Sequence, residues 1–87
     1  ETVPVLVDSR AVPREHIEAV ALDVEGVQSA YGIRSRGRPG DIFAELTIAV
    51  DASLDVLRSH DIADRVERDV TSAIVAREVV VHVEPWE

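Results

Sequence analysis

The carboxy-terminal stretch from Glu78 to Glu84, E-V-V-V-H-V-E, constrains the fold of this 87-residue chain more strongly than any other feature. Its dense run of β-branched residues predicts a strand in the middle of a sheet, closed by Pro85. Because successive side chains of a strand point to opposite faces, three valines share one face and His82 and Glu84 share the other. We therefore expect this strand to supply part of the core and a pair of candidate ligands.

Two earlier segments show the alternation of apolar and polar residues that is typical of strands. Residues 27–36 are expected to place Tyr31 and Ile33 on the same face. Residues 41–51 alternate more cleanly, and their predicted core face consists of Ile42, Ala44, Leu46, Ile48 and Val50. The intervening residues 37–40, G-R-P-G, are typical of a turn, so the two strands should form a β-hairpin.

Helical spacing of apolar residues predicts two helices. The first is expected to begin near Pro13, a residue suited to the first helical position. The second is expected to run from an N-cap at Ser53 to about Ala76, with an apolar stripe that consists of Leu57, Ile62, Ala63, Val66, Val70 and Ile74. The order helix, strand, strand, helix, strand predicts an α+β two-layer sandwich with two helices on one face of a three-stranded sheet.

The amino-terminal segment leaves two interpretations open. Thr2 to Val7 is apolar but is interrupted by Pro4, which is compatible with an edge strand or with a connector. The chain begins at Glu1 rather than at Met, so we expect it to be a piece of a longer protein.

Charge and composition argue against several functional classes. Seventeen acidic residues against nine basic ones give a formal net charge of −8, so we expect no nucleic-acid partner. Because the chain has no cysteine, a transition-metal site must use His, Asp, Glu or water. No nucleophile elbow and no H-E-x-x-H motif occurs, so we do not expect an enzyme.

Two pairs of side chains are candidate metal ligands. His82 and Glu84 share a strand face, and His60 and Asp64, four residues apart, share a helix face. Each pair alone is typical of a solvated surface. If the helix and the last strand approach each other, within one chain or between two protomers, the four side chains form a nitrogen and oxygen site for zinc, with manganese or iron(II) as alternatives.

Five motifs in a fixed order carry a resemblance to a known family. They are V-E-G-V (24–27), G-I-R-S-R (32–36), F-A-E-L-T-I-A-V-D (43–51), S-H-D-I-A-D-R-V-E (59–67) and V-V-V-H-V-E-P (79–85). Together they resemble the carboxy-terminal cytoplasmic domain of the cation diffusion facilitator family, membrane transporters that exchange divalent metal ions for protons. The resemblance extends from about Leu6 to Pro85.

The resemblance implies a metallochaperone-like or ferredoxin-like α-β-β-α-β fold and a homodimer on the cytoplasmic side of a membrane. It divides the chain into a connector from a transmembrane portion of the same full-length chain (1–12), a metal-sensing dimerisation domain (13–85) and a tail (86–87). Metal bound near the dimer interface is implied to favour closure of the dimer and so to regulate transport. The ligand positions of the family correspond to His60, His82 and Glu84.

Two positions depart from the pattern of the zinc-transporting members. Tyr31 and Thr47 stand where those members often have histidine, so a smaller site, weaker or selective for a harder ion, is expected. Two alternatives follow. One is a purely structural dimerisation domain without metal, and the other is a free-standing ferredoxin-like module that binds a small ligand and uses Thr2 to Val7 as its first strand.

Overall fold

The computed structural model describes residues 12–87, and the fold it contains is the predicted α+β two-layer sandwich. In chain order the elements are α1 (Arg14–Leu22), β1 (Ser29–Arg38), β2 (Asp41–Asp51), α2 (Val56–Ile74) and β3 (Glu78–Trp86). Both helices pack on the same face of the three-stranded sheet. The segment Thr2 to Val7 lies outside the described residues, so neither interpretation of it is tested.

The strand order of the sheet is β1-β2-β3. β1 and β2 form an antiparallel hairpin, whereas β2 and β3 are parallel because α2 crosses over between them. β3 is therefore an edge strand, and its predicted central position is wrong; β2 occupies the centre. An edge strand tolerates Pro85, which has no N–H to donate, and β3 continues past it to Trp86.

The core lies between the helices and the inner face of the sheet. The predicted core face of β2 is confirmed, since every second residue from Ile42 to Val50 is buried. The largest fully buried side chains come from both layers: Ile17, Leu46, Ile48, Val66 and Val70. The prediction that Leu57 belongs to the apolar stripe of α2 is wrong: this residue is 72% exposed, because the first turn of α2 extends beyond the core.

A β-bulge in β1 changes the predicted faces of that strand. Tyr31 pairs with Thr47 and Arg34 pairs with Glu45, so two residues of β1 lie opposite one residue of β2. Gly32 makes this possible because its φ of +62° lies in the left-handed region that glycine adopts readily. After the bulge the alternation is reversed: Ile33 is buried on the inner face, and the prediction that it shares a face with Tyr31 is wrong.

The first turn of α2 is capped by Asp55 rather than by Ser53. The backbone N–H of Arg58 donates to Oδ1 of Asp55 at 2.8 Å, which satisfies one of the free donors at the helix start. Ser53 instead donates its N–H and its hydroxyl to Oδ1 of Asp51, both at 2.8 Å. These two hydrogen bonds lower the pKa of the Asp51 carboxyl, the backbone one more strongly.

Ser35 joins the start of the described chain to the sheet. Its hydroxyl accepts a hydrogen bond from the N–H of Val12 at 3.2 Å and donates one to the carbonyl of Val12 at 3.3 Å. This polar side chain is tolerated on the inner face because its hydroxyl both donates and accepts a hydrogen bond.

Candidate metal site

The face of the sheet opposite the helices, called the open face below, carries the candidate ligands of β3. Directly paired residues of neighbouring strands point to the same side of a sheet, so the register shows which side chains are adjacent. It aligns two rows across the open face: Tyr31, Thr47 and His82 in one, and Ser29, Ala49 and Glu84 in the next. The predicted pairing of His82 and Glu84 on one strand face is therefore confirmed.

The imidazole of His82 faces a carboxylate that the sequence did not single out. Nε2 of His82 lies 4.0 Å from Oε2 of Glu45, which stands two residues before Thr47 on the same face of β2. Nη2 of Arg34 donates to that same oxygen at 3.1 Å. Two side chains, one from each flanking strand, thus approach one carboxylate oxygen of the central strand.

Glu84 lies one row further along the open face and is exposed. Among residues 12–87 its carboxylate takes part in no ion pair. Its two oxygens are consequently accessible to a cation or to a partner protein.

His60 and Asp64 are both exposed on α2, as their spacing predicts. Asp64 lines a shallow groove along that helix with four other residues: Glu67, Arg68, Thr71 and Ser72. The inward side of α2, which carries Val66 and Val70, packs on the inner face of the sheet. The sheet therefore lies between the α2 pair and the open face.

One protomer brings together each of the two predicted pairs but not all four ligands. Within the part of the chain that the structure describes, no group of three or more His, Cys, Asp or Glu side chains is placed to hold a metal ion. Within one copy of these residues, His60 and His82 do not belong to one such group.

Exposed apolar side chains flank both pairs. Val56 and Leu57, which are 76% and 72% exposed, precede His60 by four and three residues on the same side of α2. On the open face, Tyr31 is in the row of His82, and Trp86 follows Glu84 on the same side of β3. Exposed apolar groups next to polar ligands are typical of surfaces that become buried on association.

Sequence reasoning missed Glu45 because its proximity to His82 depends on the strand order and on the parallel register. The predicted core face of β2 leaves Glu45 on the outward face, where the structure also places it. A prediction of the β2–β3 pairing, with Thr47 opposite His82, would have been the signal that brings Glu45 within reach of the imidazole.

The sequence of this chain matches the model of a known protein family. Residues 10–86 match the family model described as "Cation efflux protein, cytoplasmic domain". Neither helix of the described residues is long and apolar enough to cross a membrane.

Curated relatives are longer proteins. The chain is 28% identical over 88 aligned positions to the cation-efflux pump FieF of Shigella flexneri and to that of Escherichia coli. In each case 98% of this chain is aligned, but it spans only 29% of the length of the relative.

Solved structures of similar fold include carboxy-terminal domains of MamM. A cadmium form of a MamM variant is 31% identical, has a TM-score of 0.78, and aligns with 84% of this chain and 92% of its own. A copper form of another variant is 30% identical with a TM-score of 0.77, over 84% of this chain and 92% of its own. From the family match and these similarities we conclude that the chain belongs to the cytoplasmic domains of the cation efflux protein family.

Proposed function

We propose that this domain is a metal-sensing regulatory domain of a divalent metal cation/proton antiporter, and that it forms a homodimer whose closure is favoured by bound metal. The observation that carries the proposal is the separation of the two ligand pairs. His82 and Glu84 lie on the open face, whereas His60 and Asp64 are exposed on α2, in the helix layer. The four ligands are complete in a dimer in which the amino-terminal end of α2 in each copy lies beside the carboxy-terminal end of β3 in its partner.

A twofold axis makes this arrangement produce two equivalent sites. The carboxyl end of β2 pairs with Trp86 and leads through a short connection into α2, so the start of α2 and the end of β3 lie at the same end of the protomer. In an isologous contact through that end, the α2 pair of each protomer meets the open-face pair of the other. Val56 and Leu57 then approach the apolar side chains beside the open-face ligands, Tyr31 and Trp86. Burial of these apolar groups favours association even before metal binds, because it removes their surface from water.

Charge explains why metal would favour the closed dimer. Each protomer has a formal net charge of −8, so two protomers repel each other. A divalent cation bound by ligands of both protomers reduces this repulsion, and its bonds to the second protomer exist only in the closed arrangement. Metal shifts the equilibrium to the extent that it binds the closed dimer more tightly than the open one.

Zinc is the metal that we propose first, with manganese and iron(II) as alternatives. Two imidazoles and two carboxylates suit the four-coordinate geometry of zinc. Cadmium and copper forms of MamM variants support a divalent-metal role for this fold. The transmembrane portion to which the domain would be attached belongs to this proposal as well.

A purely structural dimerisation domain is the second candidate function. Its support is the row that contains His82, where the neighbouring side chains are Tyr31 and Thr47, two residues with neutral hydroxyls. Such a row supplies one imidazole instead of a cluster of ligands. In this case the flanking apolar residues would hold the dimer together and metal would have no effect.

Titration of the 87-residue chain with Zn²⁺ and then Mn²⁺ distinguishes the two functions. We expect saturable binding, measured by heat and by the fluorescence of Trp86, which lies on the same side of β3 as Glu84. His82→Ala should weaken binding by about tenfold or more while the dimer persists, since one ligand is lost but the apolar contacts remain. His16→Ala, which removes an exposed histidine of α1, is the matched control and should bind as the parent does. A folded dimer that binds no metal up to millimolar concentrations would favour the structural function.

A further inference from the structure

We propose that one end of this domain binds the anionic headgroups of a phospholipid membrane. This end, called the basic end below, consists of the start of α1, the turn between β1 and β2, and the connection from α2 to β3. Its arginines are Arg14, Arg36, Arg38 and Arg77. The inference rests on one part of the proposed function, the attachment of the domain to a transmembrane portion, and it does not require metal.

Hydrogen bonds hold the three segments of the basic end together. The N–H of Arg77 donates to the carbonyl of Ile42 at 2.7 Å, which places the α2–β3 connection beside the turn that leads into β2. Val12 precedes α1 and is bonded through its N–H and its carbonyl to the hydroxyl of Ser35, near the end of β1. Four arginines from separate parts of the sequence therefore share one end of the domain.

Charge is distributed unevenly between the two ends. At the other end, where β2 and β3 finish and α2 begins, carboxylates prevail, among them Asp51, Asp55, Glu84 and Glu87. The basic end carries its four arginines against three carboxylates. A chain with a formal net charge of −8 thus has one end that an anionic surface attracts and one that it repels.

Arg36 and Arg38 are the cations of the basic end that remain for an external anion. Nη1 of Arg77 already donates to Oδ1 of Asp41 at 3.2 Å. Arg36 and Arg38 are exposed at the end of the hairpin, and neither takes part in an ion pair within the described part of the chain. A guanidinium can donate two parallel hydrogen bonds to one phosphate, so each of these side chains suits a lipid phosphate.

An exposed aliphatic side chain lies at the same end. Val75 is the C-cap of α2, its side chain belongs to a residue that is 73% exposed, and its φ is +52°. A β-branched residue rarely adopts this left-handed conformation, which glycine or asparagine usually supplies after a helix. Basic side chains beside an apolar one are the combination by which surface helices bind the boundary between headgroups and acyl chains.

The place where the chain enters the domain agrees with this orientation. Residues 1–11 precede Val12, which is held at the basic end. The connector that we expect over residues 1–12 therefore meets the folded domain at the end that carries the arginines. With that end toward the membrane, the carboxylates of the other end point away from anionic lipid, where the repulsion is smallest.

The test is residue-resolved NMR of the 87-residue chain with small bicelles that contain a nitroxide-labelled lipid, in the presence of EDTA. An anionic bicelle repels the chain as a whole, so attraction to it requires a local positive surface. When phosphatidylglycerol replaces part of the phosphatidylcholine, we expect faster relaxation of the amides of Arg38 and Val75 and no change at Asp51 or Trp86. The effect should disappear at about 1 M salt, where the Debye length is about 3 Å.

Arg38→Gln and Arg58→Gln are the matched variants. Each removes one positive charge, so the overall repulsion is the same, but Arg58 is exposed in the first turn of α2, at the other end. Arg38→Gln should lower the affinity for phosphatidylglycerol bicelles about fivefold, the effect of one arginine near an anionic surface. Arg58→Gln should lower it by less than about 1.5-fold, because its charge is distant and screened.

Val75→Asn tests the apolar part of the contact. Asparagine adopts the left-handed conformation more readily than valine, so the variant should fold at least as well as the parent. Loss of the aliphatic side chain should lower the affinity for the same bicelles by about two- to threefold. An affinity equal to that of the parent would exclude Val75 from the contact.

The outcomes separate this inference from the proposed metal sensing. If phosphatidylglycerol has no effect, or accelerates relaxation equally at both ends, the basic end does not bind lipid and the inference is overturned. Equal losses in Arg38→Gln and Arg58→Gln would overturn it as well. Because EDTA excludes metal, a parent chain that fails to bind zinc but shows these lipid effects retains the inference, whereas one that binds zinc without them loses it alone.

Discussion

Replacement of Leu46 by alanine is expected to lower the free energy of unfolding by about 3 kcal/mol. Leu46 is fully buried at the centre of β2, between the two other strands and beneath the helices. Truncation removes its contacts with the core and leaves a cavity that the surrounding backbone, hydrogen-bonded on both sides, cannot easily close. Urea unfolding followed by circular dichroism measures the change, at a protein concentration low enough for the chain to be monomeric, so that only the stability of the protomer contributes.

Leu57→Ala is the matched control for this prediction. It makes the same chemical change at a side chain that is 72% exposed in the first turn of α2, so the free energy of unfolding of the protomer should change by no more than about 0.5 kcal/mol. Its expected effect is on dimerisation instead. If the two variants destabilised the protomer equally, the assignment of Leu46 to the core and of Leu57 to the surface would be wrong.

Zinc is expected to stabilise the parent chain by about 2.7 kcal/mol per site when free zinc is a hundredfold above the dissociation constant. This follows if the ion binds the folded dimer and has no affinity for the unfolded chain. The double variant His60→Ala, His82→Ala should show no gain, because each site loses both of its imidazoles. Urea unfolding with and without zinc measures the stabilisation of the parent and of the double variant. The protein concentration is kept fixed, since the stability of a dimer depends on that concentration.

His16→Ala should retain the full stabilisation by zinc, because His16 is an exposed residue of α1 in neither ligand pair. A gain of similar size in the double variant would mean that zinc stabilises the fold through other residues. The proposed ligand set would then have to be abandoned.

Local periodicity was sufficient for the element order and for the core face of β2. The alternation of β2 is uninterrupted, and each of its inward residues is buried. In β1 the same reasoning failed after Tyr31, because a bulge at Gly32 reverses the alternation and nothing in the periodicity of one strand reveals it. Ser53 and Asp55 are both good caps, and the hydrogen bonds of Ser53 to Asp51 left Asp55 to cap the helix.

As for the fold, only those features of the candidate site that follow from local periodicity could be predicted from the sequence. That His82 and Glu84 share a face follows from the period of a strand, and that His60 and Asp64 share a face follows from the period of a helix. Two other features depend on the strand order and on the side of the sheet that the helices cover. These are the separation of the two pairs by the sheet and the approach of Glu45 to His82. Those are properties of tertiary packing, and the β-branched run of β3 gave no indication that the strand lies at an edge.

The most direct measurement of the central claim, that a second copy completes the metal site, is zinc binding by a mixture of two defective variants. His60→Ala retains His82, and His82→Ala retains His60, so a heterodimer of the two contains one site with both imidazoles and one with neither. After equal mixing and exchange of protomers, half of the dimers are heterodimers, and we expect tight binding at about a quarter of the parent's sites. If the mixture binds no more tightly than the separate variants, the ligands are not shared between protomers and the claim is contradicted.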